Sequence, residues 1–227
     1  MPRFFAPADE PADWKQLLAK PDLHWKTGYS ARSLAYSWTE AGGFPVEVKA
    51  VFDESDSVCL HDLEFLIGIP EHEVSLPGGR RPSQTDVFVL ARGSDGLVSI
   101  AVEGKVSESF DVPVDERFAA PTEGQSTRLE FLLSLLELER SAVGGIGYQL
   151  LHRTASAVLE AQRFGARHAV MLVHSFSQEL EHFPDYAAFV GLFGQSASAN
   201  QLGEARHLGE ITLYLGWVVG SADYLAR

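Results

Sequence analysis

The hydrophobic positions of the chain change period several times, and each change marks a structural element. Over residues 45–53, Val46, Val48, Ala50 and Phe52 alternate with Glu47, Lys49 and Asp53. That is the period-2 pattern of a half-buried strand. Residues 58–68 instead carry Leu60, Leu63 and Ile67 at helical spacing, with His61 and Glu64 on another face. Two apolar runs follow, 85–92 and 98–106, joined by Gly93-Ser94-Asp95-Gly96, and read as a β-hairpin. Thr127 and Glu130 have the spacing of a capping box and predict a leucine-rich helix from Leu129 to about residue 140. Gly144-Gly145 breaks that pattern. A second helix is predicted over 148–164, with Gly165 as its stop.

Residues 168–176 contain Ala169-Val170-Met171-Leu172-Val173, the continuous apolar run of a strand buried on both faces. A helix over 186–193, a loop over 196–203 and an apolar strand over 211–219 follow. Earlier in the chain, 13–19 reads as a short helix ending before Pro21. Ser30 reads as the N-cap of a helix that closes at Gly42-Gly43. The order of elements predicts a mixed α/β fold, with helices on the faces of a mixed sheet. Residues 1–57 read as an extension packed on a core of 58–227, whose C-terminal part adds a helix and a strand.

The hairpin carries the chemistry. A symmetric Gly93–Gly96 loop sets Arg92 opposite Leu97, Asp86 opposite Glu103 and Gln84 opposite Lys105. Directly opposed residues share a face. The other face then collects Val87, Val89 and Ala91 against Val102, Ile100 and Val98, all apolar. A slip of one residue would spoil that face and separate Asp86 from Glu103. Opposed carboxylates repel unless something positive lies between them. Mg²⁺ suits hard oxygen ligands and keeps several waters. It would polarise a phosphoryl oxygen and acidify a bound water, which Lys105 could orient. The simpler reading is that Lys105 only pairs with a carboxylate on a solvated sheet face.

Composition narrows the options. With 227 residues and 45% hydrophobic content, the chain can bury a sizeable core. A single cysteine, Cys59, excludes an intramolecular disulfide and a cysteine-built zinc site. The apolar stretch at the N-terminus is too short for a signal peptide, and no window approaches a membrane span, so a cytoplasmic protein without membrane association is expected. The net charge of −13 argues against a broad basic nucleic-acid surface. Arg80 and Arg81 nevertheless lie just ahead of Asp86 and could meet phosphate backbone, or simply balance the acidic stretch before them. Gly104-Lys105 is no P-loop, because Val106 stands where Ser or Thr is needed. His168, His174 and His182 are too irregularly spaced for a metal set. The four tryptophans read mainly as core.

Asp86, sixteen intervening residues and then Glu103-Gly104-Lys105 resemble the signature of the PD-(D/E)xK nuclease superfamily. The resemblance covers about half the chain, and Thr85 stands where the motif's proline would be. It implies a restriction-endonuclease-like αβββαβ core, with Mg²⁺ or Mn²⁺ held by Asp86 and Glu103 and hydrolysis of nucleic acid assisted by Lys105. It also implies an acidic ligand from the first core helix, for which Glu64 is the candidate and Glu71 and Glu73 are rivals. Gln149 would be the supporting polar residue on the following helix, with Arg153 one turn later. The whole chain, including Gly28-Tyr29-Ser30-Ala31, is similar to an uncharacterised bacterial family with this fold, which adds no activity. Two other functions stay open: a nuclease-like module that binds or assembles without cleaving, and an α/β enzyme for a small phosphorylated substrate.

Overall fold

The computed structural model describes residues 10–227; the reading of the first nine residues as no signal peptide lies outside them. Among the described residues, seven strands form one mixed sheet. They are β1 (Glu64–Val74), β2 (Ser83–Gly93), β3 (Gly96–Lys105), β4 (His168–Ser175), β5 (Gln201–Leu202), β6 (Arg206–Leu208) and β7 (Ile211–Val219). The helices are α1 (Pro21–His24), α2 (Ser30–Ala41), α3 (Val46–Asp53), α4 (Val114–Arg117), α5 (Glu123–Leu136), α6 (Tyr148–Phe164) and α7 (Phe183–Gly191).

The sheet order is β1-β2-β3-β4-β7-β5, with β6 also pairing β7. β1, β2 and β3 form an antiparallel meander, while β4 runs parallel to β3 and β7 parallel to β4. The crossover from β3 to β4 passes through α4, α5 and α6. α6 lies against β3 and β4, as a parallel connection requires.

Two apolar cores flank the sheet. Leu132, Leu151, Val158, Met171, Phe189 and Trp217 belong to the one under α5, α6 and α7. Leu34, Trp38, Val48, Phe52, Val89 and Ile100 belong to the other, under α2 and α3. β4 lies between both layers and is buried at every position. That is why its sequence reads as an unbroken apolar run. The segment before β1 therefore supplies one helical layer of the same sheet. Trp14, Trp38 and Trp217 are buried and take part in packing.

Several expectations need correction. Residues 45–53 form the helix α3, not a strand. Val46 is 81% exposed, while Val48, Val51 and Phe52 are buried. That is helical i, i+3, i+4 spacing, and Val51 is the residue the period-2 reading passed over. Pro45 precedes the first turn, and Lys49 pairs with Asp53 one turn later. Residues 58–68 are not a helix either. A short 3₁₀ turn, Val58–Leu60, ends before Asp62, whose φ is +48°, and β1 begins at Glu64. Hydrogen bonding to β2 decides in favour of the strand, and Pro70 is tolerated because β1 is an edge.

α5 starts earlier than expected, at Glu123, and its capping box is Thr122 with Gln125 rather than Thr127 with Glu130. Thr127 lies inside the helix and bonds back to the Glu123 carbonyl. The helix expected over 186–193 is Phe183–Gly191. Part of the loop expected over 196–203 pairs with β7 as β5. The first helix is a 3₁₀ segment, Pro11–Gln16.

Candidate active site

The β2–β3 ladder runs from Gly93↔Gly96 to Val87↔Val102, with Arg92 opposite Leu97. This is the register that the apolar face of the hairpin requires. Val87, Val89, Val98, Ile100 and Val102 accordingly fill the core under α2 and α3. Beyond Val87 a side chain takes over from the backbone: Asp86 Oδ2 accepts the Gly104 N–H at 2.7 Å. Gly104 has little spare room, since a Cβ there would meet Leu34 Cδ2 at 3.3 Å and Asp86 Oδ2 at 3.4 Å.

Glu103 and Lys105 stand two residues apart on β3, both buried. Lys105 Nζ donates to Glu103 Oε1 and to Gln149 Oε1, each at 2.8 Å, and lies 4.9 Å from the centre of the Phe110 ring. Arg153, one helical turn beyond Gln149 on α6, donates from Nε to Glu103 Oε2 at 2.5 Å. The carboxylate is thus held between two cations. Burial pushes the Glu103 carboxyl up, but Arg153 and Lys105 outweigh that and hold it below its ordinary range. The positive charge expected between opposed carboxylates is therefore supplied in part by the protein itself.

Glu71 joins from β1. It falls between the pairs Pro70↔Val87 and His72↔Thr85, across from Asp86. Its φ is +51°, a left-handed conformation inside a strand. Such a residue costs about 1–3 kcal/mol and persists only where the surroundings impose it. Glu71, Asp86, Glu103, Lys105, Gln149 and Arg153 line one cavity of about 600 Å³. Burial, followed by the Asp86 charge, pushes the Glu71 carboxyl up to about 9. Burial, followed by the Glu103 charge, pushes Asp86 up to about 7.

Glu64 is not in this cavity. It pairs with Arg92 at the far end of the hairpin, 3.3 Å away, on the solvent side. The expectation of a ligand from a helix over 58–68 fails because that segment is a turn followed by a strand. Glu71, its rival, is the acid that reaches the cavity. Glu73 is exposed. Arg80 and Arg81 are exposed and line a separate depression of about 210 Å³ with Glu73. His152, which sequence spacing passed over, also lines the main cavity. Its position three residues after Gln149 on the same helix was the available signal.

The family described as a domain of unknown function, DUF6946, matches residues 7–222. The chain belongs to this family. No curated protein and no solved structure matches it. In this DUF6946 chain, among the described residues, no three His, Cys, Asp or Glu side chains are grouped to hold a metal ion. Two carboxylates are a different matter. Burial and neighbouring carboxylates raise both Glu71 and Asp86 despite the nearby Arg153, and Mg²⁺ commonly binds through one or two carboxylates while keeping its waters. That donor set fits a hydrated divalent ion. Among the described residues, no helix is long and apolar enough to cross a membrane.

Proposed function

We propose that this cavity carries out metal-dependent hydrolysis of phosphodiester bonds in nucleic acid, with a site of PD-(D/E)xK type. The observation that carries the reading is the juxtaposition of Asp86 and Glu71, neither of them in an ion pair among the described residues, with the buried Glu103–Lys105 pair. Asp86 and Glu71 would hold Mg²⁺ or Mn²⁺. Glu103, bonded to Lys105 and Arg153, would hold both cations beside the ion. The ion would polarise a phosphoryl oxygen and acidify a water. Lys105, oriented by Glu103 and Gln149, would stabilise the charge that develops on the reacting phosphoryl group.

The chain order α3, β1, β2, β3, then α4, α5 and α6 before β4, supports an αβββαβ core with α3 as its first helix and α6 as the crossover helix packed on the sheet. Exposed Arg80 and Arg81 would meet the nucleic-acid backbone outside the cavity.

Two observations favour a second reading, a nuclease-like module that binds or assembles without cleaving. Arg153 already neutralises Glu103 from within, and the chain carries a net charge of −13.

Calorimetric titration with Mn²⁺, run on wild type and Asp86→Asn, separates the two readings when combined with cleavage assays on single- and double-stranded DNA and RNA. The hydrolase reading expects a binding isotherm that Asp86→Asn abolishes, and cleavage that Lys105→Ala abolishes. A wild-type isotherm without cleavage of any of the four substrates supports the binding module. The absence of an isotherm in wild type overturns the metal site.

A further inference from the structure

Lys105 and Arg153 are the cations at the floor of the cavity, and both are committed to Glu103. Each also fixes the orientation of a neutral side chain on α6. An ammonium can only donate, so the Gln149 amide presents Oε1 to Lys105 and keeps its NH₂ on the opposite side. A guanidinium likewise can only donate. Arg153 Nη1 lies 3.1 Å from His152 Nδ1, so Nδ1 accepts and the ring proton sits on Nε2. Ser83 Oγ, 2.8 Å from the same nitrogen, braces the ring. Ser83 is itself tied to Arg153 Nη1 at 3.0 Å and to Ser156 Oγ at 2.9 Å.

Burial and the Arg153 charge hold the imidazole well below the ordinary histidine range, so it stays neutral. Tyr148 packs on the ring at 4.9 Å between centroids. Gln149 and His152 are three residues apart, hence on one helix face, and both line the cavity. Among the described residues, no acceptor meets His152 Nε2.

We propose that His152 Nε2–H, beside the Gln149 amide, is the hydrogen-bond donor for a non-bridging oxygen of a phosphodiester monoanion, and that the cavity selects diesters over monoesters. This rests on the hydrolase reading for its substrate. The charge argument is direct. Five carboxylates, Glu71, Asp86, Glu103, Glu108 and Asp111, line the cavity against Lys105, Arg153 and one divalent ion, so the ionised lining stays net negative and disfavours the second charge of a monoester dianion. Neutral donors can still bind a monoanion without requiring a free cation. A histidine locked with Nδ1 as acceptor is a donor to substrate and not a general base.

Histidine ¹⁵N spectra of the full chain identify the tautomer without reference to activity. The Nε2–H form is expected across neutral pH, and its resonance should move on titration with diethyl phosphate. In parallel, hydrolysis of bis(p-nitrophenyl) phosphate and of p-nitrophenyl phosphate is followed with Mn²⁺. The diester should be preferred. His152→Phe, which keeps the ring on Tyr148 but removes the donor, should lower kcat/KM for the diester about tenfold, the scale of one charge-assisted hydrogen bond. His152→Asn should restore part of the loss.

If neither ester is cleaved but diethyl phosphate still moves Nε2, the donor site stands and the hydrolase reading fails. The inference itself is overturned by an Nδ1–H tautomer, by an unmoved Nε2 resonance, by full activity in a folded His152→Phe, or by a preference for the monoester.

Discussion

Arg153 Nε on α6 lies 2.5 Å from Glu103 Oε2 on β3, joining the helical layer to the sheet through a buried ion pair. The partner oxygen of Glu103 is taken by Lys105, so removing the arginine leaves one cation against a buried carboxylate whose second oxygen has lost its donor. Arg153→Met should therefore destabilise the fold by about 3–5 kcal/mol, the usual cost of breaking a buried pair from one side. Urea denaturation should show a lower midpoint with an unchanged slope. A midpoint equal to wild type would mean that the pair contributes nothing to stability.

Asp86 and Glu71 set an unusual pH dependence. Their folded-state values, about 7 and about 9, lie above the ordinary 3.8 and 4.5. A raised carboxyl stabilises the fold fully below its unfolded value, and that contribution is lost as pH rises through the folded value. Without metal, the protein should lose stability from mildly acidic pH through pH 7 and on to pH 9. Asp86→Asn combined with Glu71→Gln should flatten this slope in thermal melts taken across that range. A wild-type profile already flat there would contradict the upward shift that burial and neighbouring carboxylates impose on the two groups.

Metal should reverse that slope. The ion displaces the same protons, so Mn²⁺ affinity should rise with pH until both carboxyls are ionised. Chelation with EDTA should then remove more thermal stability at pH 8 than at pH 6. Equal losses at the two values would detach the metal from these carboxyls.

Glu71 and Glu64 provide a direct contrast. Glu71→Gln should weaken Mn²⁺ binding on the order of tenfold or more. Glu64→Gln should leave it unchanged, because Glu64 pairs with Arg92 on the surface. Calorimetry on the two variants decides this, and the opposite ranking would refute the placement of the acid on β1.

Trp38 Nε1 donates to His174 Nδ1 at 3.1 Å, and His174 Nε2 faces Glu47 Oε1 at 3.2 Å. This buried chain ties α2 and α3 to β4. Trp38→Phe leaves His174 without its donor and should cost about 1–3 kcal/mol. Urea unfolding measures it, and no shift in midpoint would assign the contact to packing alone.

Local sequence by itself determined the elements whose apolar pattern and stop signals agree. β4 and β7 carry continuous apolar runs, and α6 ends at Gly165, whose φ of +66° suits glycine. The hairpin register was equally legible, because one register alone buries the valines. That register also placed Asp86, Glu103 and Lys105 at a single cavity.

The tertiary structure decided the rest. Short apolar segments fit two periods at once. Residues 45–53 became a helix because Val48, Val51 and Phe52 had a core to enter, and 64–74 became a strand because β2 offered hydrogen bonds. Those two outcomes left Glu64 at the surface with Arg92 and brought Glu71 to the cavity, in a left-handed conformation that no spacing rule encodes. The pairing of Arg153 with Glu103, fifty residues away in sequence, likewise exists only once α6 lies across β3. Charges so far apart in the chain acquire their pKa values and partners from packing, which local pattern does not contain.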